Sequence, residues 1–226
     1  MLYERGGNSS QLDYWDEILA SRGAILIEAR IEAVQELEQL AMGIHEKLTG
    51  ATEVIRLIYQ PSYDPLPPPQ GQISLPMQVQ IQRNGLTAEK VKQGFINRLV
   101  SLRSEEIARG VTTIGPHRDE MRVLCNGIDL TDYGSRGQIR TALLSLKMAE
   151  VEWLKAKTGE WPILLLDETL AELDTRRRAC LLEYLENVEQ AILTTTDMNL
   201  FPPDFRNRCE RWQVTSGSVE KLPKEG

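Results

Sequence analysis

Cysteine and histidine are scarce in this chain of 226 residues, with three of the first and two of the second. Cys125, Cys180 and Cys209 are odd in number and far apart, which argues against a disulfide framework and against paired metal-ligand spacing. With only His45 and His117, a histidine-based zinc site is not expected either. Free buried thiols in a reducing compartment are the expectation. No apolar run approaches the roughly 20 residues that would span a bilayer. The N-terminal MLYERGGNSS carries no apolar stretch of the signal-peptide kind. A cytoplasmic protein without membrane contact follows as the default. Positive charge is short as well: the net charge is −7 and the pI about 5.1. An isolated nucleic-acid-binding module is usually basic, so any such contact needs a local basic surface or one supplied from outside. What remains is ordinary for a globular chain, 41% hydrophobic and 26% charged, with length for one good-sized domain or two small ones.

Residues 11–49 read as a long helix. Ile27, Val34, Ala41 and Leu48 recur every seven residues, Ile31, Leu37 and Ile44 fill in at three or four, and Glu28, Arg30, Glu32, Glu36, Glu38 and Lys47 form a solvated back. Three heptads do not separate a coiled-coil arm from a helix packed on a domain, and the packed helix is preferred. Gly23 is a candidate division within it and Gly50 a candidate stop. Val54 to Tyr59 reads as a short strand. A loop rich in proline follows, with Pro61, Pro65, Pro67, Pro68, Pro69 and Pro76. A second helix is expected after Thr87, with Val91, Phe95, Leu99 and Leu102 on one face and Gly110 at its end.

From Val111 strands and helices mix. Asn126-Gly127 between Met121–Cys125 and Ile128–Leu130 is a strong hairpin signal. The helix after Ser135 should bury Ile139, Ala142, Leu143, Leu146, Ala149 and Trp153. The unbroken run Ile163-Leu164-Leu165-Leu166 suits a strand buried on both faces. A helix after Asp174 with Leu181, Leu182, Leu185 and Val188 inward, then a strand at Ala191–Thr195, completes a strand–helix–strand order and predicts a parallel α/β sheet.

Three short stretches carry candidate chemistry. The apolar strand ends in Asp167-Glu168, and the carboxyl end of a parallel strand is where open α/β sheets bind ligands. Asp167 there can hold Mg²⁺, largely through water, and Glu168 can orient or deprotonate an attacking water. The plainer alternative is that both pair or cap at a strand end. Ser135-Arg136-Gly137-Gln138 opens a helix. It reads as a capping box of Ser135 and Gln138, and equally as an anion site in which Gly137 lets a phosphate come close. Asp174 reads as the N-cap of the next helix. His117 and Arg118 follow a Gly115-Pro116 turn and are read as structural, pairing with Asp119 or Glu120. Arg176-Arg177-Arg178 reads as a solvated face in preference to a contact with DNA phosphates.

Gly134-Ser135-Arg136-Gly137-Gln138, Leu164-Leu165-Leu166-Asp167-Glu168 and Ala171-Glu172-Leu173-Asp174 resemble, in order and spacing, the signature motif, Walker B strand and D-loop of ABC-type ATPases. More narrowly the chain resembles the RecF family, SMC-like ATPases of DNA repair and replication. Gly115-Pro116-His117-Arg118-Asp119 is similar to that family's segment before the signature, and Leu12-Asp13-Tyr14-Trp15-Asp16-Glu17 to its helical arm. The resemblance covers nearly the whole chain. It implies an α/β fold, the C-terminal lobe of an ABC-type ATPase over 111–226, preceded by a helical arm region with a short strand and the proline-rich loop over 1–110. It implies ATP and Mg²⁺ as cofactors, with Glu168 catalytic, Asp167 on the metal, Ser135, Gly137 and Gln138 on a partner subunit's nucleotide, Asp174 at the subunit interface, and Thr196 as a switch position beside the γ-phosphate; a turn-making hydroxyl is the alternative for Thr196. Its implied partners are DNA at single-stranded/double-stranded junctions, a second copy on ATP binding, and recombination mediator proteins that help load recombinase at gaps. No G-x-x-x-x-G-K-[ST] phosphate loop occurs in the sequence. The family's loop lies before the arm, so this chain reads as its C-terminal portion, inactive as an ATPase by itself. Competing readings are an SMC-like structural head, a nucleotide-free interaction module and, least favoured, a transporter ATPase subunit. Thr194-Thr195-Thr196-Asp197 stands where many transporter subunits carry a histidine.

Overall fold

The computed structural model describes residues 10–64 and 87–223. The prolines from Pro65 to Pro76 lie outside the described residues. The chain divides into two compact units, Met1–Trp153 and Leu154–Gly226.

The first unit is organised on one helix, α1 (Ser10–Thr49). It runs through Gly23 without a break, contrary to the expected division. The reason is packing: a Cβ at Gly23 would stand 2.8 Å from the Phe95 ring and 3.2 Å from Pro116. Glycine here permits close approach of a neighbour and does not interrupt the helix. Gly50, at φ 67°, ends α1 as expected. The next elements are β1 (Ile55–Gln60) and α2 (Ala88–Arg109), which Gly110 closes in the left-handed conformation. Then come β2 (Glu120–Cys125), β3 (Ile128–Asp129), the single-turn α3 (Leu130–Tyr133) and α4 (Arg136–Thr158). The sheet order is β1-β2-β3, antiparallel, with Ile55 opposite Cys125 and Gln60 opposite Glu120. Asn126 and Gly127 both have positive φ, the geometry that makes Asn-Gly a hairpin turn.

The apolar stripe of α1 feeds two cores. Its N-terminal half buries Ala24 and Ile27 against Val91, Phe95 and Leu99 of α2. Its C-terminal half buries Ala41 against Ile55, Cys125 and Ala142. The acidic side of the Leu12–Glu17 segment faces α2, where Arg103 meets Asp13 at 2.7 Å and Asp16 at 2.6 Å, and Lys92 meets Glu17 at 2.5 Å. Tyr14 and Trp15 stand exposed.

The back of α1 is less solvated than its charges predict. Glu38 is 4% exposed; its carboxylate accepts from the Leu57 backbone N–H at 2.7 Å and from Arg56 at 2.9 Å. A carboxylate thus covers the edge of β1 that β2 leaves unpaired, a common protection for an edge strand. Glu36 accepts from the Trp153 indole, and Arg30 reaches the Pro116 carbonyl.

Asp119 ties this unit together. Its side chain is 1% exposed. It accepts from the Ser62 backbone N–H at 2.8 Å, the Ser62 hydroxyl at 3.0 Å, Arg30 at 3.3 Å and the Tyr59 hydroxyl. Burial, and then the Asp119 carboxylate, push the Tyr59 phenol well above its ordinary range. His117 and Arg118 are expected to pair with Asp119 or Glu120. Instead both are exposed on a 3-10 turn, Pro116–Arg118, and Arg118 turns back to the Thr112 carbonyl at 3.4 Å. Gly115 sits at φ 126° with its N–H on the Ser62 hydroxyl at 2.8 Å, a conformation that needs glycine.

The buried face of α4 is also rotated from expectation. Ile139 and Leu143 are exposed, whereas Thr141, Ser145 and Met148 are buried with Ala142 and Ala149. Burial of the two hydroxyls is possible because each bonds a carbonyl one turn back, Thr141 to Gly137 at 2.7 Å and Ser145 to Thr141 at 2.8 Å.

The second unit contains β4 (Leu164–Leu166), α5 (Thr175–Leu185), β5 (Ala191–Leu193), α6 (Pro203–Arg208) and the hairpin β6 (Trp212–Thr215) with β7 (Ser218–Lys221). β4 and β5 pair in parallel, Leu166 opposite Leu193, as the strand–helix–strand order predicts. The expected burial of β4 on both faces is not met. Leu164 is buried, but Ile163 is 60% and Leu165 73% exposed, because among the described residues the sheet has only these two strands and one face stays open.

Replacing Asp119 by alanine removes the acceptor of the Tyr59 hydroxyl and the Ser62 amide and the ion-pair partner of Arg30. A loss of about 3 kcal/mol in urea unfolding is expected, and a loss below about 1 would show that the carboxylate does not hold the unit together.

Candidate functional site

The residues singled out from sequence fall in two places, one in each unit. In the first unit they stand where α3 gives way to α4. The Asp129 carboxylate caps α3 by accepting from the Thr131 N–H at 2.8 Å. Gly134 then has no room for a side chain, since a Cβ would lie 2.6 Å from the Leu130 carbonyl oxygen. Ser135 and Gln138 form the reciprocal capping box: the Gln138 N–H donates to the Ser135 hydroxyl at 3.2 Å, and the Ser135 N–H to the Gln138 side-chain oxygen at 3.1 Å. The Gln138 amide nitrogen turns the other way and donates to Glu53 at 3.2 Å.

Gly137 is different from Gly134. It is exposed, and a Cβ there would meet nothing within 4 Å. Packing among the described residues therefore gives no reason for glycine at 137. Open space beside a glycine in the first turn of a helix allows close approach by an external anion.

In the second unit the parallel register decides the geometry. Leu166 lies opposite Leu193, and the Thr194 N–H extends the ladder to the Leu166 carbonyl at 3.0 Å. The next pair is Asp167 and Thr194. The Thr194 hydroxyl donates to the Asp167 carboxylate and accepts from the Glu168 N–H at 3.1 Å. One hydroxyl thus fixes both acidic residues. Glu168 has φ 49° and ψ 14°, in the left-handed region. That conformation costs a non-glycine residue roughly 1–2 kcal/mol. Among the described residues nothing donates to the Glu168 carboxylate, and no cation pairs with either acid. Backbone strain of this kind clusters at functional sites, and open α/β sheets bind ligands at the carboxyl ends of their strands.

Thr194 was not singled out from sequence. Its signal was available: continuing the parallel register by one residue sets it beside Asp167. Of the neighbouring threonines, Thr195 makes the turn, exchanging bonds with the Asp197 backbone at 3.1 Å, while Thr196 is exposed.

Asp174 caps α5, accepting from the Arg177 N–H at 2.9 Å and from its guanidinium at 2.6 Å. The Arg177 backbone N–H, foremost among the causes, holds this carboxyl below its usual range. Arg178 donates to the carbonyls of Leu170 at 3.3 Å and Leu173 at 3.0 Å, so it braces the turn Thr169–Glu172 behind the acid pair. The triple-arginine run is therefore only partly a solvated face; Arg176 alone of the three is fully on the surface.

No protein-family profile matches the chain. Individual relatives do. The DNA replication and repair protein RecF of Halothermothrix orenii is 41% identical over 194 residues, which is 84% of this chain and 48% of that protein. The RecF of Acetivibrio thermocellus is 40% identical over 84% of this chain and 47% of its own length, and that of Roseiflexus castenholzii 36% identical over 92% and 49%. The chain thus spans about half the length of the curated relatives it matches. Among solved structures, the recombination mediator protein RecF–ATPrS of the RecFOR pathway superposes with a TM-score of 0.76 at 28% identity, covering 98% of this chain and 53% of that one. The RecF–ATP structure of the same pathway gives 0.76 at 27% identity over 98% and 54%. The α/β fold and the helical N-terminal part are those of the RecF ATPase. By sequence and by fold, this chain belongs to the RecF family and corresponds to its C-terminal half.

Proposed function

We propose that the chain supplies the signature, Walker B and D-loop elements of an ATP-switched DNA-repair ATPase. The observation that carries the reading is the acid pair: Asp167 tethered by the Thr194 hydroxyl, with Glu168 held beside it in a left-handed conformation. The donor set fits the group the family implies. Asp167 offers hard oxygen ligation suited to Mg²⁺, directly or through water. Bound there, Mg·ATP would bring the charge and the phosphoryl group that the reaction consumes. Glu168 lies where a water-orienting carboxylate is needed and carries no competing partner among the described residues.

Ser135, Gly137 and Gln138 serve the nucleotide of a second copy, in this reading. The capping box pre-forms the helix terminus, and Gly137 leaves its face open to the γ-phosphate. Asp174 sits at the interface between copies, and Thr196 is the switch position. The phosphate-binding loop comes from the other half of the family's length. Strands from that half would also cover Ile163, Leu165 and Ile192, which this two-stranded sheet leaves exposed. We keep 111–226 as the functional lobe and 1–110 as the arm region. β1 belongs to the arm by that division and pairs with β2 of the lobe, so the arm is anchored through the sheet.

ATP closes the dimer on DNA at single-stranded/double-stranded junctions, hydrolysis releases it, and mediator proteins are recruited there to load recombinase. The name recombination mediator protein borne by the structural neighbours supports this role. None of the described helices is long and apolar enough to cross a membrane.

In a protein that joins both halves, Glu168→Gln should slow ATP turnover by about 100-fold while preserving nucleotide binding. Turnover at the original rate would remove the water-orienting role. Ser135→Arg should leave ATP binding intact and abolish ATP-dependent dimerisation in analytical ultracentrifugation. Dimerisation at the original level would rule out the signature reading.

A further inference from the structure

His45, Glu53 and Cys125 are eight and 72 residues apart along the chain, and no sequence spacing joins them. The fold does. His45 comes from the last turns of α1, Glu53 from the connection into β1, and Cys125 from the end of β2. His45 is 0% and Cys125 1% exposed. The His45 Nε2 and a Glu53 oxygen are 3.5 Å apart, and one ligand atom from each of the three lies within 4.8 Å of the others.

The orientation of the imidazole follows from a proton count. The Ser145 hydroxyl has one hydrogen, which it donates to the Thr141 carbonyl at 2.8 Å. It can then only accept from His45 Nδ1, 2.9 Å away. Nδ1 therefore carries a hydrogen, and Nε2 is the ring nitrogen turned to Glu53. A Glu53 carboxylate oxygen and the Cys125 sulfur lie nearby. An imidazole nitrogen, a carboxylate oxygen and a thiol sulfur thus converge in one largely buried place.

We propose that His45, Glu53 and Cys125 form a site for a borderline divalent metal ion, zinc in the first instance. Imidazole nitrogen, thiolate sulfur and carboxylate oxygen are the donors this ion takes. Ligand bonds of the usual length set tetrahedral edges of about 3.3–3.8 Å, and the His45–Glu53 separation already falls in that range. Small side-chain movements bring in the sulfur; its proton passes to solvent as the thiolate binds. The outer shell is present too. Ser145 fixes the histidine tautomer, and Gln138 donates to the second Glu53 oxygen at 3.2 Å, as supporting groups of metal sites do. Three protein ligands leave a fourth position for water. None of the three residues has a part in the nucleotide chemistry proposed above, so the site stands independently of that reading. A consequence that does rest on it is that metal binding steadies Gln138, and through it the N-terminus of α4.

The test is metal binding by the 226-residue chain after chelation and desalting. Zinc is titrated in competition with a chromophoric chelator, and Co²⁺ is added separately to read thiolate-to-metal charge transfer. One equivalent of zinc should bind. Glu53→Gln should weaken it at least tenfold, and Cys125→Ser should also abolish the cobalt charge-transfer band. Glu53 is partly exposed, so Glu53→Gln carries the test if Cys125→Ser does not fold, with circular dichroism confirming its fold. Binding well below one equivalent overturns the proposal. So does binding that is unchanged in Glu53→Gln, since the metal would then lie elsewhere and a shared proton would suffice between His45 and Glu53.

Discussion

Asp119 is a charged group from which water has been removed, and the geometry of the first unit follows from how that charge is satisfied. A buried carboxylate without donors would cost several kcal/mol. Here the donors come from α1, from the end of β1 and from the residue pair after it, so these segments must converge on one point. Asp119 immediately precedes β2, and its position sets the first rung of the β1–β2 ladder, Gln60 against Glu120. Five rungs later the ladder ends at Ile55 and Cys125, the hairpin turns on Asn126-Gly127, and the chain enters α3 and the capping box of α4. The open helix terminus at Gly137 is thus placed by a carboxylate at the opposite end of the sheet.

In the second unit the corresponding constraint is the parallel register. It sets Thr194 beside Asp167, and a single hydroxyl then orders both acids while forcing neither to be neutralised. In the proposed reading that charge faces a cation and a phosphate, at the carboxyl end of a strand where open α/β sheets bind ligands. The contrast between Gly134, crowded by the Leu130 carbonyl, and Gly137, facing open space, argues in the same direction for the first unit. Packing explains the first glycine; among the described residues it gives no reason for the second.

Much of this was legible in the residues because it depends on local rules. The helix of α1, the Thr87–Gly110 limits of α2, the Asn-Gly hairpin, the capping box and the Asp174 cap all follow from periodicity or from side chains within a few residues of their partners. What was misread depends on distant neighbours. Gly23 looked like a break because Phe95 and Pro116, which press against it, are far along the chain. Glu38 looked solvated because a helical wheel cannot show the β1 edge it covers. Ile139 and Leu143 looked buried because an apolar pattern cannot show that Thr141 and Ser145 go inward instead, their hydroxyls satisfied by their own helix. Leu165 looked buried because an apolar run implies a covered sheet, and among the described residues that cover is absent. The same limit hid the His45–Glu53–Cys125 cluster, which exists only once α1, β1 and β2 are assembled.

The central claim is that this half contributes its acid pair and signature to a nucleotide site whose phosphate loop lies in the family's other half. The most direct measurement is Mg·ATP binding and DNA-stimulated turnover by this chain alone, and again after mixing with a separately made phosphate-loop half of a RecF relative. The account predicts no binding by the chain alone, and both activities in the mixture. If the two halves associate and still bind no nucleotide, the roles given to Asp167, Glu168 and Ser135 are wrong, and the chain is better understood as an interaction module that works without ATP.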